Sequence, residues 1–153
     1  LYTREMYAAV KASLRDSRGV FAMHAEGPLA RPRAHQQILA TLGEEFRYLT
    51  VLYNYIQMYN TLWTVVVASD DDCALRTSAA ELDARLTQRG IKGLHLYDGA
   101  QHHAMAQAAP WQAQLRSTAG SLPRITDAAS TFLDEIDINR SATRVVVTSG
   151  DQP

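Results

Sequence analysis

The groups in this sequence that could do chemistry are a few histidines, a run of carboxylates and one thiol. His102 and His103 are adjacent, with His95 upstream. Neighbouring helical residues point about 100° apart, so one metal ion cannot easily engage both rings. The HExxH pattern and the Cys/His spacings of zinc sites are missing from the sequence, and no metal is expected. Asp70-Asp71-Asp72 resembles a calcium loop in charge only. It lacks the ligand spacing, turn glycine and closing glutamate, and reads as a solvated turn. Cys73 is the single cysteine, so no internal disulfide can form. It stands in no recognisable nucleophile arrangement, and a structural role is expected. No G-x-S-x-G elbow is present.

The elements that must position these groups alternate between helix and strand. Met6, Tyr7, Val10 and Leu14 form one apolar face, which predicts a helix from Thr3 to Arg15. Thr3 suits its N-cap. Gly19 to Ala25 reads as a strand, apolar almost throughout, as when helices cover both faces. Pro32 opens a second helix to about Phe46, with Ile38, Leu39, Leu42 and Phe46 on its stripe. Arg47 to Ile56 and Leu62 to Ser69 are β-rich and closely linked, which predicts an antiparallel hairpin. A helix follows from Ser78 to Arg89, stopped by Gly90, then a short strand from Leu94 to Tyr97. A last helix covers about Ala100 to Arg116. Beyond Gly120 the signal weakens. Residues 121–153 read as a weakly defined tail with one candidate strand, Arg144 to Thr148.

This order is α/β, yet it starts on a helix and ends on antiparallel strands. No G-x-G-x-x-G exists among the eight glycines. The expected architecture is the second half of a Rossmann sheet, closed by an antiparallel hairpin. The size, 153 residues, fits one domain. A net charge of -1 argues against the basic surface that nucleic acid demands. No apolar run reaches the roughly 20 residues that span a bilayer. The lone cysteine and the lack of a signal peptide at the start of the chain fit the cytoplasm. The chain opens on Leu1 rather than Met, as expected of a segment inside a longer reading frame.

Several stretches together resemble one family. Leu1-Tyr-Thr-Arg-Glu-Met-Tyr-Ala-Ala-Val-Lys is similar to the helix that follows the catalytic loop in spermidine synthases. Gly19-Val-Phe-Ala-Met-His-Ala-Glu resembles their next strand. Tyr55-Ile-Gln-Met-Tyr-Asn-Thr-Leu-Trp-Thr-Val-Val-Val-Ala-Ser-Asp resembles their substrate loop and final hairpin strand. Arg89-Gly-Ile-Lys-Gly-Leu-His-Leu-Tyr-Asp-Gly and the His102-His103 stretch resemble their carboxy-terminal segment. The resemblance implies a methyltransferase-like Rossmann fold, with residues 1–120 as the carboxy-terminal half of the catalytic domain. It also implies transfer of an aminopropyl group from decarboxylated S-adenosylmethionine, a co-substrate, to putrescine or a related amine. The family's cofactor loop and paired catalytic aspartates precede the helix that opens this chain, so this part is expected to be inactive alone. Family members are often dimers or tetramers, which makes a homo-oligomer the expectation. Two other readings stay open: a methyltransferase using S-adenosylmethionine, and a non-catalytic association domain.

By the same resemblance, Tyr59 borders the polyamine groove; its plainer reading is an aromatic residue closing a hairpin. Trp63 could wall that groove, but a strand tryptophan is more often core, and core is expected. The family loop commonly reads Pro-Thr-Tyr with a glycine soon after, whereas here it is Gln57-Met58-Tyr59-Asn60 without one. His24 stands where the family has a glutamine that contacts the substrate amine. Neutral histidine could accept a hydrogen bond from an ammonium, and protonated histidine would repel it; the plainer reading is a satisfied histidine at a strand's end. Glu26 could attract a cationic substrate, with a solvated surface acid as the expected alternative.

Overall fold

A computed structural model describes residues 2–72, 76–112 and 121–130. Helix α1 runs Arg4–Ser13, with the Thr3 hydroxyl accepting from the Met6 amide at 3.3 Å, the cap its sequence predicts. Strand β1 is Val20–His24, helix α2 is Pro32–Glu45, strand β2 is Tyr48–Ile56 and strand β3 is Thr61–Ser69. A single 3-10 turn, Gln57–Tyr59, joins β2 to β3. Helix α3, Ala79–Gln88, carries a complete capping box between Ser78 and Glu81, and helix α4 spans Gly99–Ala106.

The sheet order is β1-β3-β2. Strand β3 is antiparallel to both neighbours, so β1 and β2 run parallel to each other with α2 as their crossover. The predicted hairpin is present, with Tyr53 opposite Thr64 and Val51 opposite Val66. Asn60 completes its turn in the left-handed region at φ 48°, the conformation a glycine would otherwise supply.

One face of the sheet is buried. Val66 and Ala68 of β3 and Val51 and Tyr53 of β2 pack with Tyr7 of α1 and Ile38, Leu39 and Leu42 of α2. Each such aliphatic side chain contributes about 1.5–3 kcal/mol by leaving water. Ile125 joins this core: its amide donates to Thr41 Oγ1 at 3.1 Å and its carbonyl accepts from the Arg4 amide at 2.8 Å. The first part of the weakly patterned tail is thus tied to α1 and α2, while residues 144–148 lie outside the described residues.

Three expectations are corrected. Strand β1 is covered on one face only: Val20, Ala22 and His24 are exposed, and Phe21 and Met23 are partly buried. Its second edge meets no strand among the described residues. Leu94 to Tyr97 form an irregular segment rather than a strand, because they pair with no strand among the described residues and Leu96 is 89% exposed. The last predicted helix is interrupted: α4 ends at Ala106, residues 110–112 are helical again, and residues 113–116 lie outside the described residues. Gln107–Ala109 are irregular ahead of Pro110, whose ring and missing N–H do not suit a helix interior.

Candidate functional site at the ends of β1 and β2

The carboxyl ends of the parallel strands β1 and β2 lie at the same end of the sheet as the start of β3. In open α/β sheets this is where ligands bind. His24 closes β1, Tyr59 sits in the turn after β2, and Trp63 is near the start of β3. Register brings two of them together. His24 pairs with Val65, so Trp63, two residues earlier on β3, is its diagonal neighbour on the same face. The Trp63 indole N–H donates to His24 Nδ1 at 3.0 Å, and the two rings meet edge-on at 6.1 Å. The Tyr59 ring lies 5.0 Å from the Trp63 ring, tilted by 46°.

Trp63 is therefore not a core residue. It is partly exposed and stands between the exposed His24 and Tyr59. His24 is a satisfied histidine at a strand's end, the plainer of its two readings. Its Nδ1 lone pair is taken by the indole, so the neutral ring carries its proton on Nε2 and has a donor left to offer, not an acceptor.

Glu26 is not a solvated acid. Its side chain is 15% exposed and sits 3.2 Å from the Arg31 guanidinium. Its backbone is in the left-handed region at φ 65°, costly for a residue with a Cβ. The bonds that hold it there come from buried residues. Thr64 donates to the Glu26 carbonyl twice, from Oγ1 at 2.7 Å and from its amide at 3.2 Å. His35, 1% exposed, donates from Nδ1 to the Ala25 carbonyl at 2.6 Å, which fixes the proton on Nδ1. Gly27 lets the chain pass closely: a Cβ there would meet the Leu62 carbonyl oxygen at 3.1 Å and the Trp63 ring at 3.6 Å.

Arg31, His35, Thr64 and Gly27 were not singled out by sequence reasoning. Only Gly27, a glycine just after an apolar strand, carried a local signal. The partners of the other three are set by β1–β3 pairing and by the packing of α2.

The remaining histidines serve local structure. His103 Nε2 donates to the Thr77 carbonyl at 3.0 Å, and His102 Nδ1 bonds the Tyr97 hydroxyl at 3.0 Å. Burial, then the neighbouring His103, holds His102 below the usual imidazole range. Burial raises Tyr97 above the usual phenol range. No cluster of three or more metal-ligating side chains occurs among the described residues. A separate open cleft of about 710 Å³ lies between Asn54 and Tyr55 of β2 and residues 94–104.

No protein-family model matches the chain. Among curated proteins, it is 38% identical over 117 residues to the polyamine aminopropyltransferase of Nitrosomonas europaea, covering 76% of this chain and 36% of that protein. It is 37% identical over 105 residues to polyamine aminopropyltransferase 2 of Hyperthermus butylicus, covering 69% and 34%. This chain is related to the polyamine aminopropyltransferases. It spans about a third of the length of these relatives. Solved structures agree on the fold. The spermidine synthase of Thermotoga maritima superposes with a TM-score of 0.65 at 19% identity, covering 75% of this chain and 39% of that one. A spermidine synthase in complex with the transition state analogue AdoDATO gives 0.64 at 20% identity, covering 76% and 40%. The three strands and their helices are thus part of a methyltransferase-like α/β fold.

Proposed function

We propose that this chain is the acceptor-facing, carboxy-terminal part of a polyamine aminopropyltransferase. The donor would be decarboxylated S-adenosylmethionine and the acceptor putrescine or a related amine. The observation that carries the reading is the 38% identity to an aminopropyltransferase over 76% of the chain. The cluster of Tyr59, Trp63 and His24 at the carboxyl ends of β1 and β2 supports it, because aromatic faces can hold a cationic chain.

In this reaction the lone pair of a neutral acceptor amine attacks the aminopropyl carbon bonded to the sulfonium. The carbon–sulfur bond breaks, its electron pair returns to sulfur, and methylthioadenosine leaves. The new secondary amine sheds one proton. What this chain contributes is placement: the acceptor lies along the Tyr59–Trp63 faces so that its reactive nitrogen is in line with the sulfonium. Proton removal and donor binding are assigned to residues outside this chain. We further propose a cytoplasmic homo-oligomer, on the family resemblance; none of the described helices is long and apolar enough to cross a membrane.

The test is an assay of the product of the whole reading frame with putrescine and decarboxylated S-adenosylmethionine. Putrescine-dependent release of methylthioadenosine is the expected result. Methyl transfer from S-adenosylmethionine, or no turnover with either donor, would overturn the reading.

A further inference from the structure

We propose that residues 91–98, together with the cleft they border, form a twofold interface with a second copy of this chain. This rests on the homo-oligomer part of the proposed function, not on the reaction, and it names the surface through which the copies meet.

Apolar surface is left uncovered here. Tyr55, Leu94 and Leu96 are exposed, and all three line the open cleft of about 710 Å³. Ile91, at the start of the segment, is exposed as well. Helix α3, just before it, buries none of its residues, and Leu82 and Leu86 are only half-buried. Single exposed leucines are ordinary, but several gathered on one rim mark a contact surface. The expected first half of the sheet does not reach them. It would join at the open edge of β1, whereas the cleft lies beyond β2, at the opposite end of the sheet.

Shape and charge both point to a second copy. A twofold interface joins a patch to itself, so a protrusion must have its recess within the same patch. Leu96 protrudes, 89% exposed. The recess beside it is lined by residues 94–98 themselves, with Tyr55, Ala100 and Ala104. The charges share this symmetry. Lys92 and Asp98, both exposed, stand three positions to either side of His95. A twofold axis near His95 sets Lys92 against the partner's Asp98, twice, and Leu94 beside the partner's Leu96. Asp98 Oδ1 accepts from the Gln101 amide at 2.7 Å as the cap of α4, which leaves its second oxygen for the lysine. An acidic or a basic foreign partner would call for one sign of charge, and this rim carries both.

The interface also bears on the hairpin turn. The Tyr55 hydroxyl donates to Asn60 Oδ1, and Asn60 closes the turn that carries Tyr59. The partner's Leu96, packed on Tyr55, steadies that turn.

The test is sedimentation velocity on the product of the whole reading frame. The wild type should be a dimer or a multiple of one. Leu96→Glu should halve its mass and raise the dissociation constant about 100-fold or more, because two leucines per pair no longer leave water. Lys92→Glu faces the partner's Asp98 and should weaken association about fivefold at low salt, with the effect fading at high salt. Leu29→Glu, at a leucine 61% exposed in the link between β1 and α2, should change nothing. A monomeric wild type, an unchanged mass in Leu96→Glu, or equal dissociation in Leu29→Glu would overturn the proposal. Turnover by a protein whose mass Leu96→Glu leaves intact sinks the interface alone. The expected dissociation without methylthioadenosine release sinks the aminopropyltransferase reading and leaves the interface standing.

Discussion

Thr64→Val tests whether the junction after β1 is held by one buried hydroxyl. Valine keeps the shape and the β-branch and removes only the O–H. Two contacts go with it: the 2.7 Å bond to the Glu26 carbonyl and the 3.3 Å contact with His35 Nδ1. Neither partner is stranded. The Glu26 carbonyl keeps the Thr64 amide at 3.2 Å, and His35 keeps the Ala25 carbonyl at 2.6 Å. The cost therefore falls near the net value of a hydrogen bond, about 1 kcal/mol, rather than the larger penalty of an orphaned buried group. In a domain of this size that lowers Tm by about 3–5 °C. Thermal unfolding followed by circular dichroism reads the change. Hydrogen exchange of the Ala25 amide, which donates to the Thr64 carbonyl at 3.0 Å, reads whether it is local. Thr64→Ser keeps the hydroxyl and loses a methyl, so its Ala25 amide should stay protected. If Val and Ser variants expose that amide equally, the hydroxyl is not what holds Glu26 at positive φ.

Other perturbations have defined outcomes. The Tyr7 hydroxyl is buried and meets no hydrogen-bond partner among the described residues, and burial pushes its ionisation far above the usual phenol range. Tyr7→Phe should leave stability unchanged or raise it by up to about 1 kcal/mol in a denaturant titration, and a large loss would contradict the burial argument. Asp70 bonds Lys11 at 2.7 Å and the Arg47 amide at 3.0 Å, and these, the lysine first, hold its carboxyl below the usual range. A depressed pKa in the folded state stabilises above the unfolded carboxyl value of about 3.9 and loses that contribution as pH falls through the lower folded value. Asp70→Asn should flatten that acid limb of a stability-against-pH curve, and an unchanged limb would remove Asp70 from it. A Cβ at Gly99 would fall 2.1 Å from the Ala79 carbonyl oxygen, a backbone atom that cannot yield without parting α3 from α4. Gly99→Ala should cost roughly 1–3 kcal/mol by thermal or urea unfolding, and wild-type stability would mean that the two helices do not pack as described.

The lesson about legibility is carried by particular elements. Period and capping chemistry are local, and the sequence alone determined what depends on them. The apolar face of α1 with its Thr3 cap, the start of α2 at Pro32 and the β2–β3 hairpin all followed from neighbours a few residues apart. So did the stop at Gly90, whose φ is 66°. The family resemblance was also legible, because it rests on the order of short segments along the chain.

What depended on sheet order was decided only by the tertiary structure. Leu94 to Tyr97 have strand-like composition but no partner strand among the described residues, and pairing makes a strand. Val65, Val66 and Val67 of β3 are equally apolar, so the sequence did not show which face is core. Insertion of β3 between β1 and β2 settles it, burying Val66 and setting Trp63 on the opposite face beside His24. That placement joins residues 39 positions apart in one hydrogen bond and leaves His24 a donor rather than an acceptor. Helical and turn signals are written in adjacent residues, whereas the chemistry of His24 was fixed by a strand the chain had yet to reach.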